Sequence, residues 1–114
     1  MRDSRLFTKV LQKIDEKSDE MKGFARELTK IPSVGGSSAE GDAQKIVIEE
    51  LSKINGLHVE VWEPRLEEIE THELHPIRLV PWNYVGRPNV VGTLPGTTEH
   101  SLILNGHIDV AAPG

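Results

Sequence analysis

Cysteine is absent from the 114 residues, which excludes disulfides, thiolate zinc sites and cysteine nucleophiles. Any metal would have to be held by imidazole and carboxylate. Aromatic side chains are scarce, at 4%. No basic stripe joins Trp62, Trp82 and Tyr84, so they are expected as packing or loop anchors and not as a stacking platform for nucleic acid. Basic charge is not in surplus either. Thirteen Lys and Arg against eighteen Asp and Glu leave a formal charge of -5, which argues against a nucleic-acid-binding face. No apolar run approaches the roughly 20 residues of a membrane span. The opening stretch MRDSRLFTKVLQKIDEKSDE lacks the apolar core of a secretory signal. The expectation is a cytoplasmic chain with neither membrane nor nucleic acid as partner. Its length allows one domain at most.

What is present reads as helices followed by strands. Leu6, Phe7, Val10, Leu11 and Ile14 recur at spacings of three and four, as do Met21, Phe24, Ala25 and Leu28. A break is expected near Ser18-Asp19, which could cap a second helix, and Ile31-Pro32 should end it. Gly35-Gly36 predicts a turn. Ser37 stands at capping-box spacing from Glu40, although Ser38 could equally cap. The helix that follows carries Ala43, Ile46, Val47, Leu51 and Ile54 on one side, and Gly56 stands where a left-handed C-terminal residue is wanted. LHVEVW, residues 57–62, alternates as a half-buried strand does. Residues 64–70 suit a short helix starting on Pro64, and the proline-broken stretch after it an irregular loop. NVVGTL, 89–94, and LILNG, 102–106, are expected as antiparallel neighbours, the second covered on both faces. This is an α/β layout, with too few helices to cover both faces of its sheet.

Several motifs can be set aside. There is no G-x-x-x-x-G-K-[ST] or G-x-G-x-x-G phosphate loop, so a nucleotide-binding α/β domain has little support. There is no G-x-S-x-G serine elbow, and Ser37 and Ser38 are expected to cap a helix. His72 and His75, in THELH, are one residue short of the zincin spacing, and Pro76 would spoil the helix it needs. They are expected to be solvated loop histidines. Glu49-Glu50 and Glu67-Glu68 read as solvated helix faces.

His107 and Asp109 are the candidates that remain. In a strand, residues i and i+2 point to one side, which makes the imidazole and the carboxylate neighbours at the C-terminal end of an apolar run. Open α/β sheets build their sites at that edge. The carboxylate could fix the ring's tautomer for a metal, or could hold a histidine that acts as a base. A strand-end histidine with a local hydrogen bond fits the spacing as well.

Taken in order, LTKIPSVGG, GDAQKIVIEEL, VEVWEP, RPNVVGTLPGT and SLILNGHIDVAAPG give the chain, from about residue 18 onward, a resemblance to a known family. It looks like the N-terminal part of the zinc-dependent deacylases and peptidases grouped with acetylornithine deacetylase and succinyl-diaminopimelate desuccinylase. The resemblance implies an α/β/α sandwich of the zinc-peptidase type with a mixed sheet, here incomplete. It implies His107 as the first zinc ligand and Asp109 as the active-site aspartate that buttresses it. The cofactor implied is a pair of zinc ions, with cobalt or manganese as alternatives, and the substrate an N-acyl amino acid or similar small amide. Complete members are often homodimers. The family's bridging aspartate, adjacent glutamate pair, further acidic ligand and late histidine have no counterpart before Gly114. The expectation is therefore an N-terminal portion of a catalytic domain, inactive alone and exposing an apolar sheet surface. Truncation, a partial gene and a gene remnant all fit that expectation, and a non-catalytic α/β interaction module is the rival to it.

Overall fold

The computed structural model describes residues 4–72, 83–99 and 101–114. The chain divides into two compact units, Met1–Ile31 and Pro32–Gly114.

The first unit is helical, as the three-and-four spacing predicts: α1 spans Ser4–Glu16 and α2 Ser18–Thr29. The expected break falls on Lys17, whose φ of -92° and ψ of 0° are not helical. The local path nevertheless continues, because Lys17 N–H donates to the Lys13 carbonyl and Met21 N–H to the Lys17 carbonyl. Ser18 is the first residue of α2 and does not cap it, and the side chain at the cap position, Lys17, makes no capping bond to the helix amides. Asp19 and Glu20 in the first turn offset the exposed amides there. Lys13–Glu16, Lys17–Glu20 and Lys30–Glu27 pair along the surface, each contributing little in water. α2 ends where Ile31-Pro32 requires. The apolar residues of α1, Leu6, Phe7, Val10, Leu11 and Ile14, are all exposed.

The second unit places α3, Ala39–Ser52, against two strands, β1 at His58–Trp62 and β2 at Asn89–Thr93. The strands are antiparallel, with His58 opposite Thr93 and Trp62 opposite Asn89. Alternation in LHVEVW brings Val59 inward between more exposed neighbours. Gly56 has the positive φ expected of it, +81°. Between the strands lies α4, Leu66–Glu70, which Arg65 precedes in extended geometry, so the short helix starts two residues after Pro64 and not on it. His75, Trp82 and the central part of the expected irregular loop lie outside the described residues.

Two expectations about this unit are corrected. Neither serine caps α3: Ser38 holds the cap position without a capping side-chain bond, and the buried Ser37 hydroxyl has no hydrogen-bond partner among the described residues. Glu40 does reach backward, but to the Gly36 amide, and the Ser37 amide donates to the Val34 carbonyl, so a carboxylate and a backbone bond close the turn. Second, residues 102–106 form no strand and do not pair with β2, whose partner is β1. Leu102, Ile103 and Leu104 are exposed, not covered on both faces. A continuous apolar run becomes a strand only when a ladder partner and two covering layers exist. Among the described residues the sheet has two strands, and one helix of eight or more residues packs on it. Among the described residues, no helix is long and apolar enough to cross a membrane.

Candidate functional site

Three stretches of the second unit meet: the turn 33–41 leading into α3, the turn 84–88 leading into β2, and the tail 107–110. Val34 forms a parallel bridge with Val110, in which Val110 N–H donates to the Ser33 carbonyl at 2.9 Å and Gly35 N–H to the Val110 carbonyl at 3.1 Å. The Ser33 hydroxyl, buried, donates to the Ile108 carbonyl at 2.9 Å.

The second stretch is locked to the first by charge. Arg87 Nη1 lies 3.0 Å from Glu40 Oε1, with both side chains largely buried. The same carboxylate oxygen accepts the Gly36 amide. An opposite charge and an amide together satisfy a carboxylate that burial alone would penalise. The Arg87 guanidinium lies 5.3 Å from the centre of the Tyr84 ring, a cation–π distance. Glu63, just past β1, accepts the Gly86 amide at 2.8 Å. Gly86 takes a φ of +73°, and its carbonyl oxygen lies so close to Gly41 that a β-carbon on Gly41 would overlap it. This is why the third residue of α3 has no side chain.

On this frame sit the two residues singled out by spacing. His107 Nδ1 lies 3.0 Å from Asp109 Oδ1 and 3.0 Å from the Asp109 carbonyl oxygen. Both partners are acceptors when the acid is ionised, so a neutral ring held here carries its proton on Nδ1 and leaves the lone pair on Nε2. The ring is 82% exposed and the carboxylate 44%. The i, i+2 juxtaposition read from the sequence is therefore present, in an extended tail and not in a strand. A neutral imidazole held in this way can accept a proton or coordinate a cation through Nε2.

Other candidates are not brought to this place. His72 follows α4 on the surface, its amide donating to the Ile69 carbonyl. Glu68 pairs with Arg65 and Glu50 with Lys53, as on solvated helix faces. Tyr84 serves as a loop anchor beneath Arg87, and Trp62 is exposed on β1. The residues that sequence reasoning passed over are Ser33, Glu40 in its pairing role, and Arg87. All three lie in or beside turns, where no periodicity marks them. The signal available was the odd placement of one arginine between Gly86 and Pro88 at the entrance of a strand.

Metal binding fits these residues only in part. One imidazole with an acid behind it is the chemistry of a single ligand and its support. Among the described residues no group of three or more His, Asp or Glu could hold a metal ion, whereas a catalytic zinc takes about three protein ligands. The described residues do not by themselves fit a metal centre. No family model, curated protein or solved structure matches this chain.

Proposed function

We propose that these residues are the N-terminal portion of a metal-dependent hydrolase that cleaves the amide bond of N-acyl amino acids or related small amides. In this reading the fold they begin is an α/β/α zinc-peptidase sandwich. The observation that carries the reading is the 3.0 Å contact from His107 Nδ1 to Asp109 Oδ1, which leaves Nε2 facing solvent after an apolar run. The resemblance in the order of segments to the acetylornithine deacetylase group supports it too. His107 would supply one ligand to zinc, cobalt or manganese, and Asp109 would orient its ring. The remaining ligands and the general base would come from residues beyond these 114, and the chain alone would not hydrolyse amides.

The test has two arms. Zinc added to the 114-residue chain should leave its melting temperature unchanged, and no N-acetyl amino acid should be turned over. Joined in frame to its downstream coding sequence, the protein should bind zinc and deacylate, and His107→Ala should abolish both. A downstream sequence without an aspartate about one helix later and an adjacent glutamate pair would overturn the reading.

A non-catalytic interaction module is the second reading, favoured by the exposed side chains of Leu102, Ile103 and Leu104. It predicts a cooperatively folding chain, indifferent to zinc, that needs no downstream residues.

A further inference from the structure

We propose that Ser33 is the positioning residue of the His107–Asp109 pair, acting by fixing both peptide planes that flank Asp109. The inference rests on the reading that the pair exists to present Nε2 of His107, and it assigns a role to a serine in the turn before α3.

The geometry is specific. The plane before Asp109 carries the Ile108 carbonyl, which accepts the Ser33 hydroxyl at 2.9 Å. The plane after Asp109 carries the Val110 amide, which donates to the Ser33 carbonyl at 2.9 Å. One residue thus holds the planes on either side of Asp109, and with them the two soft dihedrals of that residue. In a trans peptide the carbonyl and the amide N–H point in opposite directions. With Val110 N–H directed at Ser33, the Asp109 carbonyl is directed away from it, and it is this oxygen that lies 3.0 Å from His107 Nδ1. The carboxylate of the same residue stands at the same distance from the same nitrogen. Both acceptors that hold the proton on Nδ1 therefore belong to the residue that Ser33 holds.

Ser33 is fit for this because it cannot easily shift. It is 2% exposed. Its turn is held on one side by the Gly35–Val110 bond and on the other by Glu40, which grips the Gly36 amide while paired with Arg87. The imidazole is largely in water, where packing does little to orient it. A freely hydrated histidine prefers its neutral proton on Nε2, so the pair must work against that preference to leave Nε2 bare.

The tautomer is the readout, because a merely structural serine would not change it. Ring ¹⁵N shifts of His107 are measured in the labelled 114-residue chain at about pH 8.5, where imidazole is neutral, and are assigned with His107→Gln. The expected result is a proton mainly on Nδ1 in the parent chain. Asp109→Ala, which sets the scale, should return it mainly to Nε2. Ser33→Ala should move the ratio at least half as far as Asp109→Ala does, while Ser33→Thr, which keeps the hydroxyl, should hold the parent value. If Ser33→Ala loses its helical signal, Ser33→Cys takes its place, keeping the volume with a weaker donor, and the same movement is expected. A parent-like tautomer in Ser33→Ala or Ser33→Cys overturns the role of Ser33 and leaves the hydrolase reading standing. Loss of zinc binding in the extended protein, with the Ser33 effect intact, overturns the hydrolase reading alone. A parent chain protonated mainly on Nε2 overturns the proposal outright.

Discussion

Ser33 and Arg87 are 2% and 6% exposed, while Leu102, Ile103 and Leu104, in the same unit, are 82–87% exposed. Between these two places the polar groups lie inside and the oily ones outside, the reverse of the usual arrangement. The polar groups of this comparison are satisfied locally: the carboxylate, guanidinium and hydroxyl of Glu40, Arg87 and Ser33 all find partners within these residues. The apolar side is not, because hydrophobic burial needs area on both sides of the contact and residues 102–104 have it on neither. Directional bonds can be completed by a few nearby residues, whereas an apolar strand waits for whole layers.

The contrast can be broken most sharply at the ion pair. Arg87→Ala leaves the Glu40 carboxylate buried beside an amide without its cation, a loss on the order of 3 kcal/mol. Urea denaturation followed by circular dichroism should show it, and Arg87→Met combined with Glu40→Gln should recover much of the loss. A fully exposed pair would cost less than about 1 kcal/mol, so a change that small would show that the inside of this comparison is not an inside.

Gly41→Ala comes next. Its new methyl group must displace the Gly86 carbonyl, backbone against backbone, at a cost near the upper end of the overpacking range, about 3 kcal/mol. Gly36→Ala gains a methyl group in open space but at a φ of +89°, and so isolates the cost of conformation from that of crowding. Equal losses in the two variants, read from the same denaturation curves, would refute the close approach of α3 to the 84–88 turn.

Ser33→Ala should be milder in stability than in tautomer. One buried hydrogen bond is removed and the Ile108 carbonyl is left unpaired, a loss of about 1 kcal/mol. The smallest effect belongs to the oily side. Ile103→Ser should change stability by less than about 0.5 kcal/mol, since the side chain is already in water. It should raise the concentration at which the chain stays monodisperse in light scattering. A loss comparable to that of Arg87→Ala would mean that the run is buried after all.

What could be read from the sequence follows the range of each signal. Apolar spacing located α1, α2 and α3, alternation located β1, and Gly56 announced its own backbone angle, all properties of a few consecutive residues. The His107–Asp109 contact was legible for the same reason, because it spans two residues. The strand expected at 102–106 failed because strand formation depends on partners far along the chain, and Leu102–Leu104 state only a preference for them. Ser33, Glu40 and Arg87 were invisible for the converse reason. Their contacts span 75 residues from Ser33 to Ile108 and 47 from Glu40 to Arg87, and nothing in a local window marks a serine or an arginine for such a meeting.

A hydrogen bond whose ends are 75 positions apart makes the orientation of His107 a collective property. A short synthetic peptide carrying the last fourteen residues would possess the histidine and the aspartate but not their alignment. On the ribosome, the turn that will steer the ring leaves the exit tunnel long before the ring itself has been added. Grafting this tail onto another scaffold would therefore require grafting its distant serine as well.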